Sequence, residues 1–334
     1  MSNLDAEPQV AVLEPGQPCT AIEVLEPRLV PLGGLRAMTV HRTLPQRRRS
    51  LIGAWCFLDH YGPDDIAETG GMRVPRHPHT GLATVSWLFS GRIEHLDSGG
   101  NAASVLPGEL NLMIAGRGIT HQEIGSSEVP VLHGVQLWYA LPESTRFSEN
   151  HFAHYEPAAV PVRGGSVRVF IGELLSSRSP VDTRTPELLG AEVLIEPGAT
   201  LEIPLRRDFE YGVLAENADL SVNGLEVPHR ALSYLPTGAD TLVLRASVEA
   251  DAPVRALLLG GVPLGEQIIM WWNFVGRDHD EIVEYRRRYQ AELGFEQADP
   301  ADAGKRPLFG EFPPGERPPI PAPPLPLSRL RPRS

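Results

Sequence analysis

Two short histidine-containing motifs are the part of this 334-residue chain whose residue types and spacing most clearly indicate chemistry. His77 and His79 are separated by one residue, and Glu123 follows His121 at the same spacing. Side chains two residues apart in a β-strand point to the same face, so each motif can present two metal ligands together. We therefore predict one metal site formed by three imidazoles and one carboxylate.

A further histidine, His95, lies between the two motifs in the run RIEHLD. No second ligand is recognised beside it in the sequence. A lone histidine in a strand is more often a packed side chain than a ligand. We therefore interpret His95 mainly as a structural residue, with a place in the pocket lining as the alternative.

Short strands and tight turns are the elements that must position the motifs. The chain contains 32 Gly and 33 Pro, and apolar residues alternate in TVSWLFSG and SVRVFIGEL. This pattern predicts many short strands, and the length allows two cores. We predict an N-terminal arm (1–19), a metal-binding domain (20–145), a linker (146–165), a second domain without metal ligands that ends in a helix (166–298), and a Pro-rich tail (299–334).

The last part of the chain changes from helix to Pro-rich sequence. The run DHDEIVEYRRRYQAELGF predicts a helix that Asp278 caps and Gly294 ends. The stretch 307–334 contains ten Pro, which excludes a helix or a central strand there. We expect an extended and mostly disordered tail. Docking of PPIPAPPLPL in a Pro-binding groove is one alternative, and a strap over the chain's own surface or over a second subunit is another.

Composition narrows the class of protein. A net charge of −12 and a pI near 5.4 argue against binding to nucleic acid. No apolar run is long enough for a membrane span, and the acidic start is not that of a secretory signal. Cys19 and Cys56 are the two cysteines, and we interpret them as reduced thiols. These observations predict a cytoplasmic protein.

Four runs of the sequence resemble the pirin family of bicupins. They are HPHTGLATVSWLFSGRIEHLDSGGN, PGELNLMIAGRGITHQE, HGVQLWYALPE and LLLGGVPLGEQIIMWWNFVGRDHDEI. The resemblance covers roughly residues 20 to 295. It implies an all-β fold of two cupin (jelly-roll) barrels packed as a bicupin. It also implies that His77, His79, His121 and Glu123 correspond to the pirin iron ligands.

One position departs from the family pattern close to the first motif. Family members commonly read GFET after HPH, whereas this chain has Ala83 at the place of the acidic residue. The departure leaves the predicted ligands intact. It puts the acid/base chemistry and the substrate fit of the pocket in question.

The resemblance implies two functions for the predicted metal site. Nitrogen and oxygen ligands suit Fe(II), Mn, Ni, Co, Cu or Zn, and the family favours one Fe(II). The first function is a quercetin 2,3-dioxygenase that opens the ring of a flavonol with O₂, with Glu123 as the catalytic base. The alternative is a non-catalytic, iron-dependent redox sensor that regulates a transcriptional or metabolic protein partner. In either case we expect a monomer or a weak dimer.

Overall fold

The chain consists mainly of β-strands. The computed structural model describes residues 11–13, 22–32, 38–185 and 187–330. In chain order, the strands as far as residue 162 are β1 Ala11–Leu13, β2 Glu23–Leu25, β3 Arg28–Leu32, β4 Met38–Leu44, β5 Trp55–Asp65, β6 Arg73–His79, β7 Leu82–Ser90, β8 Ile93–Asp97, β9 Ala102–Val105, β10 Leu110–Ile114, β11 Ile119–Gly125, β12 Val131–Ala140, β13 His151–Tyr155 and β14 Val160–Val162.

The second half of the chain is built in the same way. Its strands are β15 Gly165–Ile171, β16 Glu173–Leu174, β17 Ser177–Arg178, β18 Leu188–Ile195, β19 Thr200–Pro204, β20 Glu210–Ala215, β21 Leu220–Val222, β22 Leu225–Val227, β23 Leu232–Leu235, β24 Thr241–Arg245, β25 Val254–Gly261, β26 Ile268–Trp271 and β27 Phe274–Gly276. The helices are α1 Ile66–Thr69 and α2 His279–Glu292, and a 3₁₀ turn spans Pro300–Asp302.

Each half forms a barrel from one larger and one smaller antiparallel sheet. Among the described residues, the first barrel has the strand orders β13-β10-β7-β12-β5-β4-β3 and β6-β11-β8-β9. The second barrel has the orders β14-β15-β18-β25-β20-β23-β2 and β19-β24-β21-β22. This arrangement confirms the predicted all-β fold of two jelly-roll barrels.

The two larger sheets pack on each other through a shared apolar core. It includes Trp55 and Val85 of the first barrel and Phe170 and Leu257 of the second, all fully buried. The indole Nε1 of Trp55 also lies 3.0 Å from the carbonyl oxygen of Leu189 across this interface. Burial of large apolar side chains is the main favourable contribution to such a contact. The barrels therefore form one continuous packed body.

Strand pairing crosses the predicted domain boundaries. Strand β2, from the predicted first domain, pairs with β23 of the second barrel. In the predicted linker, β13 pairs with β10 and β14 pairs with β15, so the linker adds an edge strand to each larger sheet. Strands β26 and β27 return to the first barrel, where Ile268 and Val275 pack with Phe57 and Trp138. Each added strand covers a sheet edge or an apolar surface that the domain alone would expose.

The C-terminal helix begins and ends where the sequence predicts. The side chain of Asp278 accepts a hydrogen bond from the backbone of Glu281, which caps the first turn of α2. Gly294 adopts a φ of 79°, a left-handed conformation that favours glycine just after a helix. Trp271 and Trp272, at the end of β26, are buried beside α2.

The Pro-rich tail differs from the predicted disorder in its described part, residues 299–330. Its described residues after the 3₁₀ turn Pro300–Asp302 form no helix or strand, but Phe309 is fully buried against α2 and β27. The hydroxyl of Tyr289 donates a hydrogen bond of 2.6 Å to the carbonyl of Ile320. The backbone N–H of Ala322 donates to Gln290. The tail is a strap on the chain's own surface, which is one of the predicted alternatives.

Some predictions concern parts of the chain that the structure does not describe. The predicted N-terminal arm, residues 1–19, lies outside the described residues except for β1, which pairs with β26. Cys19 also lies outside them. Within the described residues, no helix is long and apolar enough to cross a membrane.

Candidate metal centre

Strands β6 and β11 are neighbours and carry the two predicted motifs side by side. His77 lies directly opposite His121 in the antiparallel pairing of these strands. The Nε2 atoms of His77 and His79 are 3.2 Å apart, and those of His79 and His121 are 3.1 Å apart. Ligand atoms around one transition metal ion lie about 3.0–3.4 Å apart when each bond is about 2.1 Å long. The three imidazoles thus converge at the spacing that one ion requires.

The other ring nitrogen of two of these histidines faces a backbone carbonyl. His77 Nδ1 is 2.7 Å from the carbonyl oxygen of Pro75, and His79 Nδ1 is 3.3 Å from that of Asn273. A carbonyl only accepts hydrogen bonds, so Nδ1 carries the proton and Nε2 presents its lone pair to the centre. This is the tautomer in which imidazole binds a metal through Nε2.

His121 is oriented by a chain of side chains that ends in Asp97. Its Nδ1 lies 3.4 Å from His95 Nδ1, and His95 Nε2 lies 3.2 Å from a carboxylate oxygen of Asp97. If His95 donates to Asp97, its Nδ1 accepts the proton of His121 Nδ1, which again leaves the lone pair of His121 on Nε2. All three Nε2 atoms then have the same protonation state.

Asp97 is built to remain ionised. Burial opposes ionisation, but hydrogen bonds from His95 and Asn101 hold the pKa of Asp97 below its usual range. The backbone N–H of Gly99 also donates to this carboxylate at 2.8 Å. A fixed negative charge on Asp97 favours the orientation of His95 and His121 in which the His121 Nε2 lone pair faces the centre.

Burial keeps the three imidazoles neutral. It lowers the pKa of His77 to about 4 and the pKa values of His79 and His121 well below the ordinary value of 6.5. The neighbouring rings add to this effect at His79 and His121, because like charges disfavour each other. Neutral imidazole is the form that binds a metal, so at neutral pH these side chains need not lose a proton first.

Glu123 is adjacent to His121 but belongs to an overlapping group. Ligand atoms of His95, His121 and Glu123 lie within 4.8 Å of one another, as do those of His77, His79 and His121. The pairing of β11 with β6 is irregular between His121 and Glu123, so that Glu123 lies opposite Val74. The structure thus brings His77, His79 and His121 together in one group, whereas Glu123 joins His121 and His95 in a second group, so neither group holds all four predicted ligands.

Ser86 and Gln136 form a buried row of hydrogen-bonding side chains beside the Glu123 carboxylate. The Ser86 hydroxyl lies 3.1 Å from Glu123 Oε1 and 2.9 Å from Gln136 Oε1. One hydroxyl hydrogen serves only one acceptor at a time. If the Gln136 amide is rotated by half a turn, its Nε2 donates to Ser86 and the Ser86 hydrogen remains for Glu123. Both residues were missed in the sequence, where nothing marks them.

His95 takes a larger part in the site than its sequence context suggested. It is stacked on Phe152, with ring centroids 4.9 Å apart, and it contacts both His121 and Asp97. The prediction of a mainly structural residue without a partner is therefore corrected, because Asp97 is its partner. The signal was present as His95 and Asp97 at the same one-residue separation as the other motifs.

Ala83 lies on the face of β7 that points away from the site. Ala83, Val85 and Trp87 belong to the apolar core between the barrels, whereas Ser86 lies on the opposite face and contacts Glu123. The expectation that Ala83 affects the acid/base chemistry near the metal is not supported by this geometry. The small side chain instead fits the packed contact between the two larger sheets.

The fold and the site together define a two-barrel cupin protein with a histidine-lined centre in its first barrel. The family model described as Pirin matches residues 37–139, and the model described as Pirin C-terminal cupin domain matches residues 190–295. The chain belongs to the pirin family.

Individual relatives resemble the chain over most of its length. A Pseudomonas aeruginosa protein named "Putative quercetin 2,3-dioxygenase" is 39% identical over 264 residues, covering 79% of this chain and 82% of the relative. A "Pirin-like protein" of Caulobacter vibrioides is 34% identical, covering 75% of this chain and 88% of the relative. The crystal structure of a quercetin 2,3-dioxygenase from Acinetobacter baumannii is 33% identical with a TM-score of 0.82, covering 93% of this chain and 97% of that one.

Proposed function

We propose that the first barrel holds one divalent metal ion, most suitably Fe(II), and that the chain catalyses the ring-opening dioxygenation of a flavonol. The observation that supports this proposal is the convergence of His77, His79 and His121 beside Glu123. The names of two relatives, each at least 33% identical, indicate the same class of reaction.

The proposed ligands are His77, His79, His121 and Glu123, with Mn, Ni, Co, Cu and Zn as other ions that suit nitrogen and oxygen donors. When bound, the ion would polarise a substrate oxygen and bring O₂ close to it. The protein holds the three imidazoles through Pro75, Asn273 and His95 (the contacts described above), so the donor atoms are oriented in advance.

Glu123 is the proposed general base. Its carboxylate would accept the proton of the flavonol 3-hydroxyl at an oxygen near the metal, while the Ser86 hydroxyl stabilises Oε1 by a hydrogen bond. A base in this position contributes about 10²-fold to 10⁴-fold to the rate. His95 and Asp97 act on His121 and are positioning residues.

The test is metal analysis of the purified protein followed by O₂ uptake with quercetin. Glu123→Gln keeps the size of the side chain but removes the base, so turnover per bound metal should fall by about 10²-fold to 10⁴-fold. Glu226→Gln is the matched control, because Glu226 is exposed on β22 of the second barrel. If the fully metallated wild type takes up no O₂ with any flavonol tested, the proposed dioxygenase activity is refuted.

A second function, the iron-dependent redox sensor, is favoured by the burial of the site. His77, His79, His121 and Glu123 are each at most 1% exposed, so a flavonol reaches the centre only if the protein opens. A sensor needs no such access, since only the charge of the ion changes. Amide hydrogen exchange of the ferrous and ferric proteins tests this function, and identical exchange in both forms would exclude it.

A further inference from the structure

A second cluster of metal-binding side chains lies between the two barrels. His60 of β5 and His133 of β12 come from the first barrel, and Glu216, which follows β20, comes from the second. The Nε2 atoms of His60 and His133 are 3.1 Å apart, close to the spacings in the first centre. Glu216 Oε1 lies 3.2 Å from His60 Nε2 and 2.7 Å from His133 Nε2.

Protons satisfy this triangle of atoms only in a crowded arrangement. If both Nε2 atoms carry hydrogens and donate to Glu216, the two N–H groups converge on one oxygen while their nitrogens are 3.1 Å apart. If one Nε2 carries a lone pair, that lone pair faces the carboxylate oxygen, so two acceptors are in contact. A cation among the three atoms makes all three contacts favourable, because each atom then directs a lone pair at a positive charge.

The carboxylate of Glu216 is fixed so that one oxygen faces the imidazoles. Its other oxygen, Oε2, accepts a hydrogen bond from Arg255 Nη1 at 3.0 Å. The Arg255 charge is shared with Glu192, whose Oε2 lies 3.6 Å from Arg255 Nε. This arrangement is that of a carboxylate ligand held by an outer partner. It also limits the repulsion between the guanidinium and an ion at Oε1.

Access from solvent exists on the His133 side. The side chain of His133 is 14% exposed, whereas those of His60 and Glu216 are fully buried. Three protein ligands leave one position of a tetrahedral ion open, and this position can hold water.

We propose that His60, His133 and Glu216 form a second metal site, which joins the two barrels and takes a borderline divalent ion such as Zn²⁺ or Co²⁺. Two imidazole nitrogens and one carboxylate oxygen suit these ions. Because the ligands come from both barrels, binding stabilises the contact between them. The site is separate from the centre in the first barrel and does not depend on the proposed activity.

The experiment counts Zn²⁺ bound to the full chain after removal of metal with a chelator, using gel filtration and elemental analysis. We expect Glu216→Gln and His133→Asn each to bind one Zn²⁺ fewer than the wild type. His151→Asn is the matched control, because His151 is an exposed histidine of β13, and it should bind as many as the wild type. His133→Asn keeps the test valid if Glu216→Gln does not fold.

Co²⁺ provides an independent measurement of the second site. In a His121→Ala background, which disables the first centre, added Co²⁺ should still give visible d–d absorption and should raise the melting temperature. Glu216→Gln in the same background should abolish both effects. Equal Zn²⁺ counts in the wild type, Glu216→Gln and His133→Asn would overturn the proposal and leave the cluster as a hydrogen-bonded contact between barrels.

Discussion

Replacing Phe309 by Ala tests whether the Pro-rich tail is part of the folded protein. Phe309 is 0% exposed, and its ring lies 5.2 Å from that of Tyr289 and 6.1 Å from that of Phe274. Removing a fully buried phenylalanine ring costs about 3–5 kcal/mol through lost burial and the cavity that remains. We expect the free energy of unfolding of Phe309→Ala to fall by this amount.

The assay is urea unfolding followed by tryptophan fluorescence, because Trp272 lies in the same cluster as Phe309. With a slope of about 3 kcal/mol per M, the midpoint should move down by about 1–2 M. Leu327→Ala is the control, since Leu327 is in the same tail but fully exposed, and it should change stability by no more than about 0.5 kcal/mol. If Phe309→Ala is as stable as Leu327→Ala, the tail does not pack and the sequence-based expectation of disorder is right.

Three further predictions concern buried polar and ionisable groups. Asp59→Ala should lower the free energy of unfolding in urea by about 3–5 kcal/mol, because it removes the buried carboxylate that binds the Arg42 guanidinium at 2.7 and 2.8 Å. Unchanged stability would contradict a stabilising ion pair at this position. Burial raises the pKa of the Cys56 thiol well above its ordinary value. In a Cys19→Ala chain, a thiol reagent should therefore label Cys56 only after denaturation. Labelling of the native chain would contradict the burial of Cys56. Asp97→Asn should weaken metal binding about 10-fold to 100-fold in a chelator competition, and an unchanged affinity would exclude its orienting role.

The metal motifs could be predicted from sequence because the period of a β-strand is a local property. A one-residue separation places His77 and His79 on one face in any regular strand. The sequence predicted that the two motifs form one site, and the structure adds that β6 and β11 are neighbours, with His77 opposite His121.

The second cluster could not be predicted because its members share no local pattern. Glu216 lies 156 residues after His60 and meets it only when the two barrels pack. The strand-rich stretch 166–265 contains a single histidine, His229, and we predicted that this domain has no metal ligands. A carboxylate contributed across the interface leaves no sequence signature.

The tail and the metal motifs lie on opposite faces of strands β6 and β11, and this arrangement indicates a role for the Pro-rich sequence. The side chains of Arg76 and Thr120, each adjacent to a predicted ligand, point outward and bind the carbonyls of Gly310 and Phe309 at 2.7 and 3.0 Å. Gln122, between His121 and Glu123, donates to Glu316 at 2.7 Å.

Strands β6 and β11 are therefore held on both sides, by the imidazole cluster within the barrel and by the tail outside it. Proline favours an extended backbone in this outer layer. The carbonyls of Phe309 and Gly310 accept hydrogen bonds from the strands, and the backbone N–H of Ile320 donates to the carbonyl of Arg76. A tail that composition alone classes as disordered thus restrains the strands that position the metal ligands. Loss of its packing at Phe309 should loosen the metal centre as well as the fold.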